Sequence, residues 1–241
     1  RILRYLRFFL NYSKQQHNSE IIRSLKINIG GISKLSKERL FDELKKIIKV
    51  DKIEKLIKDK LSLDLILIIF PELKSIKTFS KLDFKNKDLL KKQDFIFLLS
   101  LAIIDDTDNT DYFLYRFNIS KKDQKRIKII DNFYKEKINS KTFTENNMNK
   151  VFYYFGKQAS CDILNYRIIK LNKVDQTLIA LSQQYENKDV PTMPVSAELL
   201  MGKYKIPEGK QLGEKLRIIE EQWVKNNFKI SDQQIDSIIN N

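Results

Sequence analysis

The sequence predicts an all-α fold without significant sheet, and three observations support this. Glycine and proline are scarce, with 6 and 4 among 241 residues, whereas tight turns between strands usually need both. Apolar residues recur every three or four positions, which is the period of an amphipathic helix. Serines stand just before several periodic segments, where a hydroxyl would cap a helix N-terminus. A β-branched run such as LDLILIIF (residues 63–70) is short and equally compatible with buried helix.

The first predicted helix comprises residues 1–12 and opens with RILRYLRFFL. Its arginines and its leucines fall on two different stripes, Arg1, Arg4 and Arg7 on one and Leu3, Leu6 and Leu10 on the other. No capping residue precedes the first turn, so we expect the chain to begin inside a helix and to be a fragment of a longer protein. A second helix is predicted near residues 21–27, with Gly30 and Gly31 breaking the pattern after it.

The third helix is predicted over SKERLFDELKKII (residues 36–48), with Ser36 as its cap. Leu35 and Leu40 occupy the two positions of a hydrophobic staple. The periodic run DKIEKLIKDK (residues 51–60) follows directly. The two segments together predict a helical hairpin.

The middle of the chain predicts further helices. Pro71 ends one apolar segment. The run NKDLLKKQDFIFLLSLAII (residues 86–104) predicts one long helix. Ser120, with Asp123 three residues later, predicts the cap of the next helix.

The C-terminal part predicts a helical block over residues 145–186, followed by a proline-containing loop at 187–196 that has the character of a joint between domains or subdomains. Ser196 predicts the cap of a short helix, and a longer helix is predicted over residues 208–226. Ser231, with Gln234 at the third helical position, predicts a capping box for the last helix.

The net charge of +14 indicates an affinity for polyanions, most often nucleic acid. A composition rich in Lys, Ile and Asn also arises in AT-rich genomes, so charge alone leaves both explanations open. One cysteine, Cys161, excludes an internal disulfide framework, and one histidine, His17, excludes a histidine-cluster metal site. Cys161 is expected to be a small buried helix residue. No stretch reaches the about 18 apolar residues of a membrane span.

The acidic stretch IDDTDNTD (residues 104–111) raises the question of a calcium loop. Counted from Asp106, the sixth position is Asp111 instead of glycine, and the twelfth is Phe117 instead of glutamate. The stretch is therefore interpreted as a solvated turn between helices.

Two segments together resemble one family. The arginine stripe by itself is compatible with phosphate or base recognition and with an ordinary solvated face. About thirty residues later, Glu38, Arg39 and Glu43 give the pattern ERxxxE, in which Arg39 and Glu43 are spaced to pair on one helix face. RILRYLRF followed by ERxxxE resembles motifs D and E of the class II tRNA nucleotidyltransferases, the CCA-adding enzymes and their bacterial poly(A) polymerase relatives. The run PVSAELLMGKYKIPEGKQLGEKLRIIEEQW (residues 194–223) resembles the C-terminal pattern of the same family.

The resemblance implies an elongated all-α neck, body and tail, assigned to residues 1–58, 59–140 and 141–241. It implies a catalytic head before residue 1 that holds Mg²⁺, so this chain is expected to have no catalytic residue or metal site and to be inactive alone. Arg1 and Arg4 would bind the incoming CTP or ATP, with Glu38, Arg39 and Glu43 supporting that pocket.

RNA binding is assigned to Arg7 and to a tail segment. The tail lysines cluster around a helix N-terminus, which favours phosphate, and two glycines one turn apart leave room for another backbone. The assigned tail residues are Lys203, Lys205, Gly209, Lys210, Gly213 and Lys215. The alternative is that the glycines allow tight internal packing and the lysines are merely solvated.

The intact protein is therefore expected to add CCA to the tRNA 3′ end from CTP and ATP. The alternatives are a bacterial poly(A) polymerase of the same family and a non-catalytic basic helical RNA-binding or adaptor module. The expected partners are tRNA and nucleoside triphosphates, without a membrane or an obligate protein partner, and the expected location is cytoplasmic.

Overall fold

The computed structural model describes residues 1–13, 16–82, 84–136, 140–171 and 175–240. In these ranges the chain forms helices and no strand, which confirms the predicted all-α class. The first eight helices are α1 (Ile2–Tyr12), α2 (Ser19–Ile27), α3 (Lys37–Ile47), α4 (Val50–Lys58), α5 (Lys60–Ile69), α6 (Phe84–Lys91), α7 (Phe95–Ile103) and α8 (Asn109–Phe117). The remaining six are α9 (Lys121–Lys135), α10 (Glu145–Leu171), α11 (Gln176–Asn187), α12 (Ala197–Tyr204), α13 (Lys210–Lys225) and α14 (Asp232–Asn240). Short 3₁₀ helices occupy Ile29–Lys34, Ile76–Lys81 and Ser140–Phe143.

The chain divides into two compact units. The first comprises Arg1–Lys137 and Asn165–Asp175, and the second comprises Ile138–Leu164 and Gln176–Asn241. The predicted loop at residues 187–196 lies inside the second unit. The division into neck, body and tail stays a prediction.

An aromatic cluster holds α3 in the first unit. Phe41 of α3 meets the edge of Phe95 at a ring-centroid distance of 5.6 Å and stacks on Phe117 at 6.2 Å. Phe113 and Phe117 of α8 contact each other at 4.7 Å. Phe41, Phe113 and Phe117 are buried, and each fully buried aromatic side chain contributes about 1.5–3 kcal/mol. One face of α3 is thereby fixed on α7 and α8, and α1 packs against α3 as well.

The single long helix predicted over residues 86–104 is wrong. The structure has two helices there, α6 ending at Lys91 and α7 beginning at Phe95. Asp94 caps α7 by accepting the backbone N–H of Phe97 at 3.0 Å, and it also pairs with Arg126. A residue that serves as an N-cap leaves the helical conformation, but apolar residues at helical spacing before and after Asp94 conceal this break in the sequence.

The second unit contains two apolar clusters. Tyr153, Trp223 and Phe228 meet with ring centroids 5.1 to 6.3 Å apart. The other cluster packs α12, α13 and α14 around the buried residues Val195, Leu200, Ile206, Leu212, Ile219 and Ile235. The predicted capping box of α14 is confirmed, because Ser231 and Gln234 exchange hydrogen bonds of 3.0 and 3.3 Å.

Within α10 the backbone kinks at Gly156, whose φ of 85° favours glycine.

Three further expectations from the sequence concern the acidic stretch, the cysteine and membrane-spanning helices. The stretch 104–111 forms the turn between α7 and the start of α8, and no group of three His, Cys, Asp or Glu residues that could hold a metal occurs among the described residues. Cys161 is partly buried in α10, and burial raises the pKa of its thiol to about 11, which leaves it unreactive at neutral pH. No helix in the described ranges is both long and apolar enough to cross a bilayer.

Candidate functional site

Four residues singled out in the sequence line one cavity of about 430 Å³ in the first unit. They are Arg1 at the N-cap of α1, Arg4 from α1, and Arg39 and Glu43 from α3. The rest of the wall comes from α1 and from the 3₁₀ helix with its two flanking residues, and consists of Ile2, Leu3, Asn28, Gly31, Ile32 and Leu35. A site with an apolar floor and a few convergent polar groups is typical of small-ligand binding, and the volume is in the usual range.

Glu43 is the acidic residue among those that line the cavity. Glu43 accepts hydrogen bonds from Arg7 at 3.2 Å and from Lys46 at 3.0 Å. Burial acts to raise the pKa of Glu43, but the hydrogen bonds and charges of Lys46 and Arg7 outweigh it and lower that pKa. Glu43 is therefore ionised at neutral pH, in a cavity that Arg1, Arg4 and Arg39 also line.

The expected pairing of Arg39 with Glu43 is wrong, because the structure pairs Glu43 with Arg7 and Lys46. Arg7 reaches Glu43 from the neighbouring helix, and this long-range partner could not be read from spacing along α3. Arg39 is exposed and lines the cavity. Arg7 is half-buried in the ion pair, and its RNA-binding role stays a prediction.

Glu38 does not lie in this cavity. It lines a separate groove of the first unit, together with Lys37, Tyr115 and Lys128. Of the three residues of the ERxxxE pattern, Arg39 and Glu43 therefore line the cavity, whereas Glu38 lines the separate groove.

The C-terminal end of α1 is anchored by Lys55 of α4. Its ammonium donates hydrogen bonds to the carbonyl oxygens of Phe9, Leu10 and Ser13, at 2.8, 3.3 and 2.6 Å. These oxygens belong to the last turn of the helix and to its C-cap, where carbonyl groups run out of intrahelical partners. The Phe9 oxygen also accepts a backbone N–H, from Ser13 at 3.1 Å. A cation at this end is also favoured by the helix dipole. Lys55 thus fixes the helix that carries Arg1 and Arg4.

His17 forms a second anchor that sequence reasoning missed. Its side chain is 2% exposed and stacks on Phe9 with ring centroids 3.5 Å apart. Nδ1 lies 2.8 Å from the Tyr5 hydroxyl, and Nε2 lies 2.8 Å from Oδ1 of Asp59. The arrangement is satisfied when Tyr5 donates to Nδ1 and Nε2–H donates to Asp59. The only sequence signal was that this histidine has no counterpart elsewhere in the chain.

The tail residues are placed on and around α12 and α13. Lys215 donates a hydrogen bond to the carbonyl oxygen of Ile238 at 2.8 Å, which ties α13 to the last turn of α14. Lys203 lies over the ring of Tyr204 at 5.0 Å. Lys210 is exposed and lies 3.8 Å from Glu214. Lys205 ends α12 in the left-handed conformation, with φ 54°.

The two tail glycines differ from each other. Gly209 precedes α13 with φ 147°, a conformation that favours glycine. A Cβ added at Gly213 would meet no atom within 4 Å. Gly213 is therefore not required for close packing inside this protein, contrary to the packing alternative. The RNA-binding assignment of the tail residues stays a prediction.

Comparison with known proteins adds independent findings. Residues 88–239 match the family described as tRNA nucleotidyltransferase domain 2, putative. Residues 19–77 match the family described as probable RNA and SrmB-binding site of polymerase A. The chain is 28% identical to CCA tRNA nucleotidyltransferase 1, mitochondrial, of Homo sapiens over 243 aligned residues, covering 99% of this chain and 54% of that protein. It is also 28% identical to the protein of the same name from Mus musculus, with the same coverage.

The chain thus spans about half the length of these curated relatives. The two family matches cover α3, which forms one side of the cavity, and the tail segment, whereas α1 lies outside both. They agree with the resemblance carried by residues 38–43 and 194–223. The chain belongs to the tRNA nucleotidyltransferase family.

Proposed function

We propose that this chain is the nucleotide-selecting and RNA-binding part of a nucleotidyltransferase that adds CCA to the 3′ end of tRNA from CTP and ATP. The observation that carries the proposal is the convergence of Arg1, Arg4, Arg39 and Glu43 on one cavity. In this proposal the tRNA and the two nucleotides are the ligands, and the protein side chains replace a nucleic-acid template. A cytoplasmic location stays a prediction.

The chemistry of the cavity supports nucleotide selection. A guanidinium group offers a planar fork of donors, and an ionised carboxylate offers acceptors, so the two together match the edge of a base. Further guanidinium groups suit the phosphates of a nucleotide. The anchors on α1 matter here because base discrimination requires side chains on a rigid element.

The described residues offer no group of candidate magnesium ligands. Among the described residues no group of three acidic, histidine or cysteine side chains is arranged to hold a metal. We therefore assign no step to Mg²⁺ here, and we propose that its ligands belong to the catalytic head implied by the resemblance. The 241-residue chain is accordingly expected to add no nucleotide by itself.

Nucleotide selection is tested in the intact protein that contains this chain. Arg1→Ala should reduce discrimination among the four nucleoside triphosphates by about 1–3 kcal/mol for each lost base contact. Glu43→Ala should lower CTP and ATP incorporation more evenly, because Glu43 also holds Arg7 and Lys46. The matched control is Arg23→Ala, since Arg23 is an exposed arginine of α2 outside the cavity. Unchanged selectivity in Arg1→Ala would contradict the proposal.

RNA binding by the tail is tested separately. Replacing Lys203, Lys205 and Lys210 together with Gln should weaken tRNA binding and flatten its salt dependence, because phosphate contacts release counterions. Thermal stability should be unchanged, since these three side chains are not part of the apolar cluster of the second unit. Unaltered tRNA affinity at low salt would restrict this segment to a structural role.

A bacterial poly(A) polymerase is the second candidate, favoured by the match of residues 19–77 to a polymerase A binding site. The intact protein distinguishes the two candidates directly. On a tRNA that lacks CCA, a CCA-adding enzyme incorporates two C residues and one A and then stops, whereas a poly(A) polymerase extends with A alone.

A further inference from the structure

A second surface, distinct from the cavity, lies between α3, α8 and α9 in the first unit. It is a groove of about 490 Å³, called here the α8–α9 groove. The residues that matter are Lys37, Glu38, Asp111, Tyr115, Asn118 and Lys128, all of which line it. This surface lies outside the matched RNA-binding segment, residues 19–77, except for its contribution from α3.

Tyr115 is the prominent feature of the groove. It is 83% exposed, although α8 buries Phe113, Leu114 and Phe117 on its other face. The ammonium of Lys37 lies 5.8 Å from the centre of the Tyr115 ring. A ring so exposed contributes little to folding by burial, but it offers a flat face on which a base can stack, beside a cation.

Lysines of α9 border the groove on one helix face. Lys121, Lys125 and Lys128 are spaced by four and three residues, so they lie in a row. In the described part of the chain, Lys121 and Lys125 make no ion pair, whereas Arg126 pairs with Asp94 on another face of the helix. This row therefore leaves two positive charges free for an external anion.

The carboxylates of Asp111 and Glu38 determine which part of an RNA strand can enter the α8–α9 groove. Asp111 is bound to Lys128 at 2.8 Å, and hydrogen bonding to Lys128 lowers the pKa of Asp111. Glu38 is exposed in the same groove. These carboxylates repel phosphate from the groove itself but accept hydrogen bonds from hydroxyl groups. A 2′-hydroxyl is such a donor and is present in RNA but not in DNA.

We infer that the α8–α9 groove binds an RNA segment that contains an unpaired nucleotide. The base stacks on Tyr115, the ribose faces the carboxylates of Glu38 and Asp111, and the neighbouring phosphates lie along Lys121 and Lys125. This inference rests on the proposed function for its RNA partner, and it assigns a contact surface separate from the nucleotide cavity.

The test is binding of a fluorescein-labelled tRNA transcript to the 241-residue chain, measured by anisotropy over a series of salt concentrations. Tyr115→Ala should weaken binding by about fivefold or more, since stacking on an aromatic side chain contributes substantially per base. Tyr115→Phe keeps the ring and should bind as the unaltered chain does. Circular dichroism of both variants checks that the helices are intact.

The lysine row has a matched control on the same helix. Lys121→Gln should lower the slope of log affinity against log salt by about 0.7, the value for one phosphate contact on a single strand. Lys122→Gln removes the same charge from an exposed lysine of α9 that makes no ion pair with any described residue and points about 100° away from Lys121. It should leave the slope unchanged.

The outcomes separate this inference from the proposed function. If the unaltered chain binds tRNA and neither Tyr115→Ala nor Lys121→Gln changes binding, the inference is overturned while the proposed function stands. If Lys122→Gln weakens binding as much as Lys121→Gln, the row is not a specific surface and the inference is likewise overturned. If the unaltered chain binds no tRNA, both the inference and the RNA-binding part of the proposed function are overturned. Competition by a single-stranded RNA, with weaker competition by a blunt duplex and by DNA of the same sequence, supports the inference.

Discussion

The cavity between α1 and α3 and the tail segment around α13 carry similar basic residues but are built differently. The cavity brings together residues that are far apart in sequence, such as Arg4 and Arg39. The tail lysines contact near neighbours or a helix end, as Lys210 does with Glu214 and Lys215 with Ile238. A motif thus indicates a site most strongly when the fold makes its separate parts converge.

The two regions also differ in how their helices are held. The last turn of α1 has three carbonyl oxygens bound by Lys55 and an aromatic stack with the buried His17. The last turn of α14 has one carbonyl oxygen bound by Lys215. Stability measurements on matched lysine substitutions can therefore test whether the cavity is the more firmly anchored region.

The largest effect is expected from Lys55→Met. It removes a charged donor from three carbonyl oxygens of α1 and should lower the free energy of unfolding by about 3 kcal/mol, because hydrogen bonds to charged groups are stronger than average. Urea denaturation followed by circular dichroism measures this change. The control is Lys58→Met on the same helix, whose exposed ammonium pairs with Glu54 and with no other described residue. A Lys55→Met protein as stable as that control would show that the cap of α1 does not matter.

The next effect is a pH dependence that arises from Asp59. Burial acts to raise the pKa of Asp59, but hydrogen bonds from Ser62 and His17 outweigh it and lower that pKa. A carboxyl group with a lowered pKa stabilises the folded state above its unfolded value of about 3.9, and this contribution is lost as the pH falls through the folded value.

Asp59→Asn should therefore lower the free energy of unfolding by about 1.5 kcal/mol at pH 7, where a charge-assisted hydrogen bond becomes a neutral one. The difference between the two proteins should shrink as the pH falls through the lowered pKa of Asp59 and the carboxyl group is protonated in the folded state. Glu54, whose pKa is lowered to about 2, titrates in both proteins and cancels in this comparison. Asp64→Asn, at an exposed position of α5, is the control. A difference that does not shrink on acidification would contradict the assignment.

A smaller loss is expected from Lys215→Met in the tail. It removes one hydrogen bond to Ile238, so the free energy of unfolding should fall by about 1 kcal/mol. Lys225→Met, at an exposed position of α13, is the matched control. A loss as large as that of Lys55→Met would remove the contrast between the two regions.

The sequence predicted local features well and long-range partners poorly. The caps at Ser36, Ser120, Ser196 and Ser231 were found because each depends on a few neighbouring residues. The break at Asp94 was missed because apolar residues recur at helical spacing on both sides of it, Leu89 and Leu90 before and Phe95 onwards after. The contacts of Arg7 with Glu43, and of His17 with Asp59, join residues 36 and 42 positions apart. Such contacts are fixed by packing between helices, which spacing along the chain does not specify.

The smallest effect, of opposite sign, is expected from Gly213→Ala. Gly213 lies in α13 with open space around its Cα, so alanine should raise the free energy of unfolding by about 0.5–1 kcal/mol through its higher helix propensity. If an RNA backbone approaches this helix closely, the added methyl group should at the same time weaken tRNA binding, with stability and affinity moving in opposite directions. Gly202→Ala in α12, where a Cβ also meets nothing within 4 Å, is the control for a gain in stability alone. Equal tRNA affinity in both variants would show that no backbone approaches at Gly213, and would leave the cavity between α1 and α3 as the stronger of the two sites.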